Sequence, residues 1–196
     1  MRNTLIFIGL LCYSIVGFSQ EEETLDFFKT DSTWFKEIIK FPIKFAQNIK
    51  FEGIANLRFP PGWAKQESPE FWSYMWAWSL NDVEHLTEHE LETNIQLYFD
   101  GLLGLDFYKI DDKKTPKTNA IFIKKNNSYY VGKVKTTDTR FTKKQMTLNV
   151  LVEQQYYKKE NKSILVFRFS PKPFNNAVWT TLKSVKLKDD VCRGQS

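Results

Sequence analysis

Hydrophobic and polar positions change period along this chain, and each change marks an element. Residues 71–80, FWSYMWAWSL, alternate with the two-residue period of a strand. Trp72, Tyr74, Trp76, Trp78 and Leu80 then share one face, and Phe71, Ser73, Met75, Ala77 and Ser79 the other. One face is wholly large, the other mostly small. The period next becomes helical, as Leu91, Ile95, Tyr98 and Leu102 recur at helical spacing and Phe99 and Leu103 widen the stripe. Thr87 and Glu90 form a Thr-x-x-Glu capping box that starts this helix. Glu88, Glu90 and Glu92 suit the positive end of its dipole, and Gly101 and Gly104 predict its end.

Upstream, Trp34, Phe35, Ile38 and Ile39 predict a short helix from Asp31 or Ser32 to Lys40, stopped by Pro42. Residues 50–59 read as a strand broken by Pro60-Pro61-Gly62. Pro61-Gly62 suits a type II turn, in which glycine supplies the positive φ. Downstream, strands are expected at about 119–124 and 129–136, with Asn126-Asn127-Ser128 turning between them. A hairpin of 145–157 and 163–169 follows, its first arm lining one face with Met146, Leu148, Val150 and Val152. Pro171 and Pro173 end the second arm. Asn175 caps a last helix whose buried stripe is Val178, Leu182 and Val185. Residues 20–31 read as a loose acidic start and 109–118 as a charged loop.

Short connections within each group of strands favour antiparallel pairing, and strands grouped between helices favour an α+β fold. The expectation is a largely antiparallel sheet packed against two to three helices. No repeat or linker divides residues 20–196, which are expected to form a single α+β domain.

The leading segment carries a different message. Arg2 precedes an apolar run from Leu5 to Phe18, shorter than the roughly 20 residues of a membrane span and suited to a signal peptide. Gly17 and Ser19 are small and two apart, which places cleavage after Ser19. The chain is therefore expected to be exported, periplasmic or secreted, with no stable membrane span after cleavage. Leu11 before Cys12 disfavours lipidation. Only Cys192 would remain in the mature chain, which excludes an intrachain disulfide.

Composition adds two constraints. With 16% aromatic residues the chain has ample material for a core, which excludes disorder throughout. The net charge of +5 is unevenly spread: residues 20–107 hold 7 Lys+Arg against 16 Asp+Glu, and residues 108–196 hold 20 against 7. Either the two halves pack together and offset one another, or the basic half attracts an anionic or polysaccharide envelope component. Nucleic acid is not an expected partner for an exported chain.

Catalytic chemistry is sparse. His85-Leu86-Thr87-Glu88-His89 spells H-x-x-E-H, the inverted zincin pattern. A cap at Thr87, however, sets His85 before the helix and His89 in its first turn, so a shared metal is not expected. No cofactor is expected, no G-x-S-x-G elbow or glycine-rich phosphate loop occurs, and no catalytic residue is assigned. Asn126-Asn127-Ser128 and Asn161-Lys162-Ser163 match the glycosylation pattern.

The aromatic strand, with Trp63 nearby, offers a platform for stacking sugars. Exposing so many rings would leave an apolar patch larger than monomers usually carry, and the helix from Thr87 needs a face to cover, so the strand is assigned to the core. A ligand cleft, if formed, is expected around Arg58, Trp63 and Ser73. The segments GIANLRFPPGW, SPEFWSYMWAWSL, LTEHELETNIQLYFDGLL, VGKVKTTD and LVFRFSPKPF resemble small exported bacterial proteins of uncharacterised function. RFPPGW alone is similar to the strand–turn of PsbP-like α+β domains. Neither resemblance implies an activity or a functional residue. The expectation is an exported, non-enzymatic binding or interaction protein of unknown ligand. The alternatives are a secreted hydrolase or a carbohydrate-binding module.

Overall fold

A computed structural model describes residues 26–104, 115–189 and 191. Nine strands and two helices follow in order among these residues. They are β1 (Phe28–Lys29), β2 (Phe35–Lys40), β3 (Gly53–Phe59), β4 (Tyr74–Asn81), α1 (Glu88–Leu103), β5 (Asn119–Asn126), β6 (Tyr129–Thr137), β7 (Gln145–Tyr157), β8 (Lys162–Ser170), α2 (Val178–Ser184) and β9 (Lys186–Leu187). Seven strands form one sheet in the order β2-β3-β4-β8-β7-β6-β5, and β1 pairs with β9 apart from it. Every pairing is antiparallel. The architecture is α+β, as expected.

The alternation in β4 explains its central place. Tyr74, Trp76, Trp78 and Leu80 are buried beside Leu165, Phe167 and Phe169 of β8 and Leu148, Val150 and Val152 of β7. Helix α1 lies on this face and contributes Leu91, Ile95, Tyr98 and Phe99. Trp76 is 0% exposed, with Tyr98 and Phe169 ring centroids 4.6 and 4.5 Å away. The large-residue face is therefore core. The small-residue face, with Met75 and Ala77, packs against Phe27, Phe28 and Val185, while Trp179 and Leu182 of α2 meet Leu151.

Local hydrogen bonding sets the start of α1. The Thr87 amide donates to Glu90 Oε2 at 2.8 Å, and Thr87 Oγ1 accepts from the Glu90 amide at 3.3 Å, the reciprocal pair of a capping box. The helix also guards the sheet edge. Glu92 Oε1 accepts from the Phe122 amide at 2.9 Å and Glu88 Oε1 from the Lys124 amide at 3.3 Å. Both donors belong to β5, the outermost strand.

Several expectations need correction. Residues 35–40 form strand β2, not a helix. Phe35 and Ile39 pair with Phe59 and Ala55 of β3, and that long-range ladder outweighs a short helical stripe with one β-branched pair. The Pro60–Trp63 turn closes through the Trp63 amide on the Pro60 carbonyl at 3.0 Å, yet Gly62 does not have a positive φ. Its reason is space: an added Cβ would lie 2.1 Å from Ser68 Oγ and 2.6 Å from Glu70 Oε2. Positive φ belongs to Gly53 (134°), where a Cβ would lie 1.9 Å from the Ser79 carbonyl oxygen.

Strand β4 begins at Tyr74 rather than Phe71. The residues near 26–29 are tied down by the β1–β9 pair, with Phe28 1% exposed. Asn176 rather than Asn175 serves the start of α2, accepting from the Val178 amide at 3.0 Å. Most of the charged loop expected at 109–118, the leader and Cys192 lie outside the described residues.

Candidate functional site

At the end of the sheet where β3 stops and β4 starts, a cleft of about 130 Å³ opens on the α1 face. Its construction follows from the fold. Strand β3 delivers Leu57 and Phe59, the Pro60–Trp63 turn delivers Trp63, and the last turns of α1 deliver Tyr98, Phe99 and Leu102. The end of β6 and the loop after it add Thr136, Thr137, Thr139 and Arg140, and edge strand β2 adds Glu37.

The aromatic wall is closely built. Phe59 and Trp63 have ring centroids 4.6 Å apart, and Trp63 meets Trp72 at 89° and Phe141 at 81°. Arg140 places its guanidinium carbon 5.3 Å from the Trp63 ring centroid and 5.3 Å from that of Phe141, a cation–π arrangement. Glu37 stands on the rim. Burial pushes its carboxyl above the ordinary range, and the Arg140 charge offsets part of that rise. The Tyr98 phenol is pushed well above its ordinary value, first by burial and then by the Glu37 carboxylate.

Some of the fold's unfavourable local features lie here. Trp72 has φ 55°, the left-handed region that a bulky residue rarely enters and that costs of order 1–3 kcal/mol. It is held by its amide on the Trp63 carbonyl at 2.9 Å. Trp72 Nε1 and Thr137 Oγ1, on two lining residues, are buried without a hydrogen-bond partner among the described residues. Such costs gather at functional sites because the surrounding fold must maintain them.

The loop that carries Arg140 is organised by Asp138, which is 1% exposed. Its carboxylate accepts from the amides of Arg140 (3.0 Å), Phe141 (2.9 Å) and Thr142 (2.7 Å) and from Thr142 Oγ1 (2.7 Å). Burial alone would raise its pKa, but these donors outweigh burial and hold it below the ordinary value. Asp138→Ala is expected to cost about 2–3 kcal/mol, because hydrogen bonds to a charged acceptor are lost together. It should also release Arg140 and Phe141 from the cleft wall. Urea denaturation and amide exchange across 138–144 measure the two effects.

The three residues expected around a cleft are not brought together. Trp63 lines it. Arg58 lies against Phe28 on the opposite sheet face, paired with Asp26 and 1% exposed. Ser73 is fully buried, its hydroxyl 2.8 Å from that of Ser170. Glu37, Tyr98 and Arg140 were not anticipated. The sequence pattern marks Tyr98 only as part of a helix stripe, and Glu37 reaches the rim because residues 35–40 form a strand rather than the expected helix.

The H-x-x-E-H residues take structural places. His85 Nδ1 lies 2.7 Å from Gln154 Nε2, and the Leu86 amide donates to Gln154 Oε1 at 3.1 Å. Glu88 caps a β5 amide, and His89 sits in the first turn of α1. Among the described residues, no cluster of three or more His, Cys, Asp or Glu side chains is arranged to hold a metal ion. No helix among them is long and apolar enough to cross a membrane. Compared with family models, with curated proteins and with solved structures, the chain finds no match in any of the three.

Proposed function

We propose that this chain is an exported binding protein that holds a small amphipathic ligand in the cleft between β3, α1 and the 138–144 loop, without converting it chemically. The observation that carries this reading is the cleft itself: an aromatic wall with a carboxylate and a guanidinium at its rim. Ligand pockets combine apolar and aromatic walls with a few placed polar groups, and strained Trp72 adds to the case. The volume is close to that of a cavity, roughly 150 Å³, that accepts benzene, so the ligand or its inserted group is about the size of one ring. The leader expected at residues 1–19 supplies the export.

A thermal-shift screen tests the reading, using small sugars, amines, amino acids and carboxylates. At least one compound should raise the Tm of the unaltered protein and leave Trp63→Ala unmoved. Ligand at 100 times its Kd adds about 2.7 kcal/mol to stability. Equal shifts in both proteins, no shift in either, or conversion of the compound would overturn the proposal.

A further inference from the structure

We infer that the group inserted into this cleft is a small organic cation, a substituted ammonium, which lies against Trp63 with Glu37 as its counter-charge and takes the place now held by Arg140. This narrows the binding reading above and rests on it.

The chain itself shows what the aromatic wall attracts. The Arg140 guanidinium lies over Trp63 and Phe141, at 5.3 Å from each ring centroid. A ring face carries partial negative charge and favours a cation within about 6 Å. Arg140 is exposed and belongs to a surface loop, so it can withdraw into water when another cation arrives. An anion could use Arg140 and the unpartnered Trp72 Nε1 and Thr137 Oγ1 donors, but it would meet the same ring faces and the Glu37 carboxylate.

Glu37 supplies the second half of the argument. Among the described residues, no ion pair within 4.0 Å joins it to a cation. The charged or titratable groups that act on it or feel it are Arg140 and the Tyr98 phenol, with Tyr74 beyond. A carboxylate on the cleft rim without a close partner gains when a positive charge is placed beside it. Aromatic faces together with one carboxylate are the combination that recognises substituted ammonium groups, and a head group of that kind is in scale with about 130 Å³.

Tetramethylammonium chloride is the probe, titrated into purified protein at constant ionic strength made up with sodium chloride and followed by tryptophan fluorescence. D-glucose and sodium acetate serve as neutral and anionic comparisons. The expected result is saturable binding of the cation alone. Glu37→Gln should weaken it by roughly fivefold or more, the factor that corresponds to a modest charge contact. Arg140→Ala should strengthen it, because the competing cation is gone. Both side chains are exposed, and circular dichroism checks that each variant remains folded.

Weaker binding in Arg140→Ala, or unchanged binding in Glu37→Gln, overturns the cation assignment. Saturable binding of glucose or acetate that is lost in Trp63→Ala also overturns it, while leaving the cleft as a binding site. Absence of saturable binding by all three probes overturns the cation assignment, and the thermal-shift screen then decides the broader reading separately.

Discussion

Trp76→Ala is expected to lower the stability of this protein by about 3–5 kcal/mol, the usual cost of emptying a buried tryptophan site. Folded domains have about 5–15 kcal/mol in hand, so this one change removes a large fraction of it. Trp76 is 0% exposed and packs among Tyr74, Trp78, Tyr98, Phe99, Phe167 and Phe169. Strand β4, strand β8 and helix α1 thus all lose contacts at one point. Urea denaturation followed by far-ultraviolet circular dichroism should show a lower midpoint with an unchanged slope. Trp63→Ala is the matching comparison, since that ring is only partly buried at the cleft and should cost less. A loss below about 1 kcal/mol in Trp76→Ala would mean that the large-residue face of β4 is not the centre of the core.

The second large effect concerns the opposite sheet face. Arg58 is buried, bonded to Asp26 and to the Leu57 carbonyl at 2.6 Å, with Phe28 beneath its guanidinium. Removing one partner of a buried ion pair costs about 3–5 kcal/mol when the charge left behind stays buried and unpaired, as Arg58 at 1% exposure would, and less when the remaining group reaches water or another partner, as Asp26 at 22% does. Asp26→Ala should therefore destabilise the fold far more than Arg58→Met, in which the Asp26 left behind keeps Lys188 at 3.5 Å. Equal losses in the two variants would remove the argument.

The same pair sets an acid limit. Burial alone would raise the Asp26 pKa, but Arg58, the Phe28 amide and Lys188 outweigh burial and lower it. Its contribution is complete above the unfolded carboxylate value, near 4, and is lost as pH falls through the lower folded value. Asp138 acts in the same direction. Stability should therefore fall below about pH 4, with a shallower acid slope in Asp26→Ala.

What was legible in the chain was local. The Thr87–Glu90 box is set by neighbours three residues apart, and its hydrogen bonds are present. The alternations in β4 and β7 are long enough to define a face without knowledge of the partner strand. Residues 35–40 are ambiguous in sequence because Phe-Lys-Glu-Ile-Ile-Lys satisfies a short helical stripe about as well as a strand, and pairing with β3 decides between them.

The candidate site depended still more on distant contacts. Arg58 is expected at a cleft, but Asp26 and Phe28 claim it from a segment whose sequence reads as loose. Glu37 and Arg140 meet only after β2 joins the sheet edge and the loop after β6 folds over its end. Neither residue belongs to a motif, so no short spacing could have announced them. Trp63 is the exception, since an aromatic residue near the Trp-rich strand is already a candidate from sequence.

Glu88 and Glu92 have an effect that reaches past the single molecule. Ile121 and Ile123 face water from the outermost strand, at 53% and 55% exposure, on a border where a stranger's backbone could otherwise zip on. The two carboxylates already answer the Phe122 and Lys124 amides, and an incoming carbonyl finds those seats taken. Helix α1 thus fills the core with one side and, with another, keeps the lattice of strands from growing into its neighbours.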